Sequence, residues 1–182
     1  DIHSTIANLA VLTNSVKPEF RSKLKLNNAI NPLFTLKGKK YVPLDISIEN
    51  RESTVIISGP NSGGKTVVIK SVGLYAVMAQ CALYIPSTLA ILPIFNSFLS
   101  DIGDKQSLND DLSTFSAHMQ EISNILRIAD RYSLIIIDEM GTGTDPDIGS
   151  SLSISILKKL TDKGSLNLCT THLPALKVWA NE

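Results

Sequence analysis

Cysteine is nearly absent from this chain of 182 residues: only Cys81 and Cys169 are present, far apart and in no metal-binding or redox spacing. That excludes a disulfide framework and a cysteine-ligated metal centre, and two reduced, buried thiols in a cytoplasmic protein are expected instead. An excess of one charge is absent too, with 17 basic against 17 acidic residues. Binding nucleic acid by charge alone is therefore excluded for this segment. No apolar run is long enough to span a bilayer, because the longest, Leu83 to Phe98, is interrupted by Pro86 and Pro93. Internal repeats and low-complexity tracts are missing. The chain opens on Asp1, and Asp1 to Val16 shows no basic region followed by an apolar stretch, so we expect no signal peptide and a piece of a longer protein.

What is present suffices for a core. Hydrophobic residues make up 43% of the chain, and a domain of this size buries roughly 70% of the surface its unfolded chain exposes. Ile2, Ile6, Leu9, Ala10, Leu12 and Val16 fall near helical spacing before Pro18, which predicts the end of a helix whose apolar stripe needs a neighbour. From Leu24 to Ile48, apolar pieces broken by Asn27-Asn28, Pro32, Gly38 and Pro43 predict short antiparallel strands and turns. Thr54 to Ser58 reads as a strand buried on both faces, followed by a helix from Gly64 to about Ala82. Phe115, His118, Met119, Ile122, Ile125, Leu126 and Ala129 form one stripe of a second helix, Thr114 to Ala129. Leu134 to Ile137 and Leu166 to Thr171 are further core strands. Between them a helix opens at Asp145-Pro146, as N-cap and first helical residue, and closes at Gly164. Strands alternating with helices predict an α/β fold with a largely parallel sheet and helices on both faces.

The segment Gly59-Pro60-Asn61-Ser62-Gly63-Gly64-Lys65-Thr66 satisfies G-x-x-x-x-G-K-[ST] between a strand and a helix. The chemistry explains the pattern. Gly63 and Gly64 let the backbone turn closely around phosphates, and successive N–H groups point at the anion together with the positive end of the helix. Lys65 would reach the β and γ phosphates of ATP, and the Thr66 hydroxyl would ligate Mg2+. A glycine-rich strand-to-helix turn without a ligand is the bland alternative. Downstream, the strand ending in Asp138 would deliver a carboxylate to the Mg2+ shell, and Glu139 would polarise the water that attacks the γ-phosphorus. As a structural alternative, the two acids would cap the following turn. His118, on an apolar stripe, reads as a packed histidine, and His3 as a surface one.

Together with the phosphate loop, the stretches DIGDKQSLNDDLSTFSAHM (Asp101 to Met119), LIIIDEMGTGTDP (Leu134 to Pro146) and CTTH (Cys169 to His172) resemble the ATPase domain of the MutS family. The likeness spans roughly residues 24 to 180. It is closest to the bacterial branch that lacks a mismatch-reading domain, because GTGTDP resembles that branch's loop. The resemblance implies a P-loop NTPase fold of ABC-ATPase type over 24–182, with a small antiparallel N-terminal strand region. Residues 1–23 would be the end of a preceding core or lever helical region. It also implies several roles, each with a local alternative. Asn61 would orient the γ-phosphate and the attacking water, or simply occupy a turn. Ser113 and Thr114 would complete a partner's nucleotide site from a helix N-terminus, or serve only as N-caps. Gly143 and Asp145 would lie in the loop crossing the dimer interface, and His172 would sense the γ-phosphate. Val67 would flank the loop. Tyr41 and Pro43, with Val42 and the segment Asn31-Pro32-Leu33, would stack on adenine. The family usually has histidine where Asn31 stands and asparagine where Leu44 stands.

The expected mechanism is a head-to-tail homodimer hydrolysing ATP with Mg2+, coupled to DNA through regions outside this segment and with no membrane association. Two other readings compete. One is the ATPase domain of an ABC-type transporter, whose usual LSGGQ run is replaced here by Leu112-Ser113-Thr114-Phe115. The other is an interaction module that binds nucleotide without turning it over.

Overall fold

A computed structural model describes residues 1–38, 41–49, 53–60, 63–103 and 111–181, with the backbone alone for 111–114. In chain order the elements are α1 (Ile2–Leu12), β1 (Ser15–Val16), β2 (Glu19–Phe20), β3 (Leu24–Ala29), α2 (Pro32–Leu36), β4 (Leu44–Ile48), β5 (Thr54–Ser58), α3 (Lys65–Gln80), β6 (Ile85–Pro86), β7 (Leu89–Leu92), β8 (Ser97–Asp101), α4 (Asp111–Ile128), β9 (Ser133–Ile137), α5 (Pro146–Asp162), β10 (Leu166–Thr171) and α6 (Pro174–Trp179). They divide between two compact units, one of Asp1–Arg51 with Ser71–Ile94 and one of Glu52–Lys70 with Phe95–Glu182.

The second unit holds the expected parallel sheet, in the order β5-β10-β9-β8 with every pairing parallel. Its central strand β9 is buried at all five residues, which is why its sequence is an apolar run rather than an alternation. The face carrying Ile135, Ile137 and Cys169 packs against Ile122 and Ile125 of α4, Ala129 just beyond that helix, Ile156, Leu157 and Leu160 of α5, and Leu176 of α6. Every member of the stripe expected on α4, from Phe115 to Ala129, is buried or half-buried. The Asp145 carboxylate accepts from the N–H groups of Asp147 and Ile148, at 3.0 and 3.2 Å, and Pro146 opens α5. Gly164 follows the helix at φ +75°, a conformation glycine adopts without penalty.

One expectation needs correction here, and one strand was not expected. Strand β5 is half-buried from Thr54 to Ile57 and exposed at Ser58, not buried on both faces. Among the described strands it pairs with β10 alone, so its β-branched run reflects packing on a pleated, half-buried surface rather than full enclosure. Strand β8 had no sequence signal, since Ser97-Phe98-Leu99-Ser100-Asp101 is short, half polar and follows two prolines.

The first unit contains a four-stranded sheet, β2-β7-β3-β4, antiparallel at β3–β4 and β3–β7 and parallel at β2–β7. The turn expected at Asn27-Asn28 is instead a bulge inside β3. Asn28 sits at φ +52°, the register shifts between Leu26 and Ala29, and the displaced Asn28 N–H donates to Asp45 Oδ1 at 2.7 Å. Pro32 opens the short helix α2 rather than a turn, with Asn31 as its cap. Helix α1 stops at Leu12, and Val16 leaves the stripe to pair with Ile85. No residue of α1 is buried. Among the described residues, no helix is long and apolar enough to cross a membrane.

The cysteines differ from expectation as well. Both are free, but only Cys169 is buried, while Cys81 is exposed just beyond the last turn of α3. Burial pushes the Cys169 thiol up to about 12, so it stays protonated and unreactive near neutral pH. We therefore expect one thiol to react with Ellman's reagent at pH 8 in the native chain and two in urea. Two reacting thiols before unfolding would contradict the packing around Cys169.

Candidate functional site

The parallel register gathers the site in the second unit. Thr171 lies opposite Ser58, and Cys169 opposite Ile137, so Gly59, His172 and Asp138 leave three neighbouring strands at their C-terminal ends. That edge is where open α/β sheets bind ligands. Between β5 and α3 the chain turns through the glycine loop, of which Gly59, Pro60, Gly63 and Gly64 are described, while Asn61 and Ser62 lie outside the described residues. Gly64 adopts φ +76° with open space where a Cβ would stand, so backbone conformation, not crowding, requires glycine there.

Lys65 is buried, and its ammonium donates to the carbonyls of Gly59 at 2.6 Å and Pro60 at 3.0 Å. The positive charge is thus held at the mouth of the loop. One residue on, in the first turn of α3, the Thr66 hydroxyl donates to Asp138 Oδ1 at 3.0 Å. Val67 is half-buried in the same turn. A hydroxyl and a carboxylate in contact at the start of a helix are the hard oxygen donors that suit Mg2+, so the donor set fits the metal.

Thr170 is the residue sequence reasoning missed. Side chains alternate along β10, which puts Thr170 on the sheet face opposite Cys169 and level with Asp138. It is fully buried. Its hydroxyl donates to Asp138 Oδ1 and accepts the Glu139 N–H at 2.7 Å. Both hydroxyls on Asp138 use Oδ1, which leaves Oδ2 turned to no described partner. Two consecutive hydroxyl residues, Thr170-Thr171, closing a core strand directly after Leu168-Cys169 were the available signal.

Glu139 itself stands at φ +51°, a left-handed conformation that costs a non-glycine residue about 1–2 kcal/mol. Its backbone is fastened at both ends: the N–H by Thr170, and the carbonyl by the Thr142 hydroxyl at 2.8 Å. Such a conformation persists only where its surroundings over-determine it, as these two hydrogen bonds do. In the following loop, Gly141 has φ +82°, and a Cβ there would strike Leu173 Cδ1 at 2.5 Å and Ser153 Oγ at 2.7 Å. Gly143 is exposed beside Phe115, and Asp145 is the exposed N-cap of α5. Ser113 and Thr114 are the third and fourth residues of α4 as described, so they lie within the helix and not at its cap position.

His172 is exposed directly after β10. The surface assignment of His3 agrees with its exposure. His118 is packed, as expected, and pairs with Asp101. In the first unit, Tyr41 is half-buried with its ring centroid 5.0 Å from that of Phe34, and Pro43 is exposed. Asn31 has structural work: its Oδ1 accepts the Leu33 N–H, and its Nδ2 donates to Ser71 Oγ at 2.9 Å.

The MutS domain V sequence family matches residues 55–182. The chain belongs to the MutS family. It is 45% identical to the Endonuclease MutS2 of Gemmatimonas aurantiaca over 84% of this chain and 19% of that protein. Against the Endonuclease MutS2 of Agathobacter rectalis it is 45% identical over 96% of this chain and 22% of the relative. Against that of Geobacillus kaustophilus, the identity is 44% over 91% and 21%. The chain thus spans about a fifth of the length of the curated relatives it matches. These relatives agree with the branch that the GTGTDP loop pointed to, and MutS domain V is a P-loop ATPase-type domain, in keeping with the parallel sheet and glycine loop.

The geometry makes a direct expectation for Thr170. Thr170→Val keeps the shape but strips Asp138 of a donor and the Glu139 N–H of its acceptor. It should destabilise the chain by about 1–3 kcal/mol in urea unfolding, the usual cost of buried groups left unpaired. Thr170→Ser should recover most of that loss. A Val variant as stable as the parent would show that the two bonds do not hold the turn.

Proposed function

We propose that this chain is the ATP-binding and hydrolysing module of a MutS-like protein that acts on DNA in repair or recombination. The observation that carries the reading is the contact between Thr66 and Asp138 at the head of α3, beside the buried ammonium of Lys65. Backbone N–H groups of the Gly59–Thr66 loop, those of Asn61 and Ser62 among them and Pro60 offering none, would surround the phosphates, with Val67 behind them. Lys65 would exchange its loop carbonyls for the β and γ phosphates. Thr66 and Asp138 would hold Mg2+, which when bound supplies positive charge to the transferred phosphoryl group. Glu139, fixed in its left-handed conformation, would align and deprotonate the attacking water, with Asn61 and His172 contacting the γ-phosphate.

The same reading covers the remaining residues. Ser113 and Thr114 on α4, with Gly143 and Asp145 in the loop before α5, would complete the site of a second copy in a head-to-tail homodimer. Tyr41 and Pro43 are retained for adenine. Residues 1–23 would end a preceding helical region and 24–182 form the ATPase domain, with DNA bound by other parts of a cytoplasmic protein. The endonuclease activity in the relatives' name is assigned to no residue of this chain. Charge spreading over the phosphoryl group in the transition state explains why the site gathers cationic and N–H donors rather than a covalent nucleophile.

Three measurements test this. Glu139→Gln should keep affinity for a fluorescent ATP analogue within about threefold while lowering turnover by about a hundredfold or more. Lys65→Ala should weaken that affinity by at least about tenfold, roughly 1.4 kcal/mol. Phosphate release per mole should rise with protein concentration, as a site shared between copies demands. Wild-type turnover in the Gln variant, or unchanged affinity in the Ala variant, would contradict the assignment.

A further inference from the structure

A second hydrogen-bonded pair lies beside the acidic turn, and nothing in the phosphate-loop chemistry uses it. Asp101 ends β8, and both its carboxylate oxygens lie close to His118 Nδ1, at 2.8 and 2.9 Å. A carboxylate only accepts, so Nδ1 carries the proton. The pair is well shielded, with the side chains of His118 and Asp101 exposed to 17% and 9%. The other end of Asp101 is equally engaged, because its carbonyl accepts the N–H of Asp138 at 2.9 Å. One residue therefore binds the strand end that presents Asp138 and Glu139 through its backbone, and helix α4 through its side chain.

The surroundings fix α4 at a second point. Gly103 allows the imidazole to approach closely: a Cβ there would stand 3.1 Å from His118 Cε1. One turn earlier on the same face, Phe115 lies beside the loop after Glu139, where a Cβ on Gly143 would lie 3.6 Å from Phe115 Cβ. His118 and Phe115 thus register the N-terminal part of α4, the part carrying Ser113 and Thr114, against the segments on both sides of the acidic turn.

We propose that Asp101 and His118 are a positioning pair that couples helix α4 to the Asp138-Glu139 turn, so that the surface offered to a partner's nucleotide is set by the same strand end that serves the chain's own site. This rests on the ATPase reading above. Neither residue belongs to the loop or the donor set proposed to hold nucleotide, so loss of the pair should spare binding and impair turnover. Misplacement of groups by about 1 Å can cost up to about a hundredfold in rate.

The test uses the 182-residue chain with His118→Ala, His118→Asn and the double variant Asp101→Ala/His118→Ala. The amide of asparagine can donate from the place of Nδ1. The expected result is a kcat for phosphate release about tenfold or more below wild type in His118→Ala, with KM within about threefold. His118→Asn should recover most of the rate, and the double variant should be no slower than His118→Ala, as for two residues acting as one unit. An unchanged kcat in His118→Ala would overturn the proposal, as would a loss shared equally by kcat, KM and melting temperature with no recovery by asparagine. If the wild-type chain turns over no ATP at any concentration, the ATPase reading fails separately and amide exchange decides the pair. His118→Ala must then raise exchange in residues 111–120 while leaving 65–80 and 133–137 as in wild type, and equal exchange throughout would refute it.

Discussion

One carboxylate oxygen holds the site together. Asp138 Oδ1 accepts from Thr66 on α3 and from Thr170 on β10, so a helix start and two strand ends meet at a single atom. Because Thr170 also takes the Glu139 N–H, the arrangement fixes the direction of one acid and the backbone of the next. Such fixed dipoles lower barriers because they need no reorganisation when charge moves. The left-handed Glu139, unfavourable by itself, persists because hydrogen bonds on both sides over-determine it. Loosen the oxygen of Asp138, and the acidic turn, the Thr66 hydroxyl and the head of the helix lose their common reference.

The topology makes this meeting possible. Parallel strands with helical crossovers send every loop of one kind to the same edge, and the register of β5, β10, β9 and β8 aligns their ends there. The buried face beneath, built from β9, β10, α4, α5 and α6, packs the strands that carry that edge. Asp101 extends the same logic to the neighbouring strand, since its carbonyl receives Asp138 and its carboxylate receives His118 on α4.

Much of this was legible in the sequence, and the reason is local. The phosphate loop, the LIIIDE strand end, the Asp145-Pro146 helix start and the α4 stripe each lie in a short window governed by one rule of backbone geometry or periodicity. What escaped was either weakly patterned or distant. Strand β8 is too short and polar to stand out, and the bulge at Asn28 uses the same residues that a turn would. Cys81 was expected inside because cysteine usually is, but its place just after α3 puts it at the surface. The bonds from Thr170 to Asp138 and from His118 to Asp101 join residues 32 and 17 positions apart, and no spacing rule announces such pairs. The family likeness supplied roles for residues, but the hydrogen bonds that orient them had to come from the structure.

The decisive question is where a triphosphate rests. A crystal structure of the chain grown with Mg2+ and a non-hydrolysable ATP analogue should show the phosphates inside the Gly59–Thr66 loop. Lys65 Nζ should have moved from the Gly59 and Pro60 carbonyls onto phosphate oxygens, with the metal between Thr66 and Asp138. Nucleotide bound elsewhere, or Lys65 still on those carbonyls beside a bound triphosphate, would contradict it.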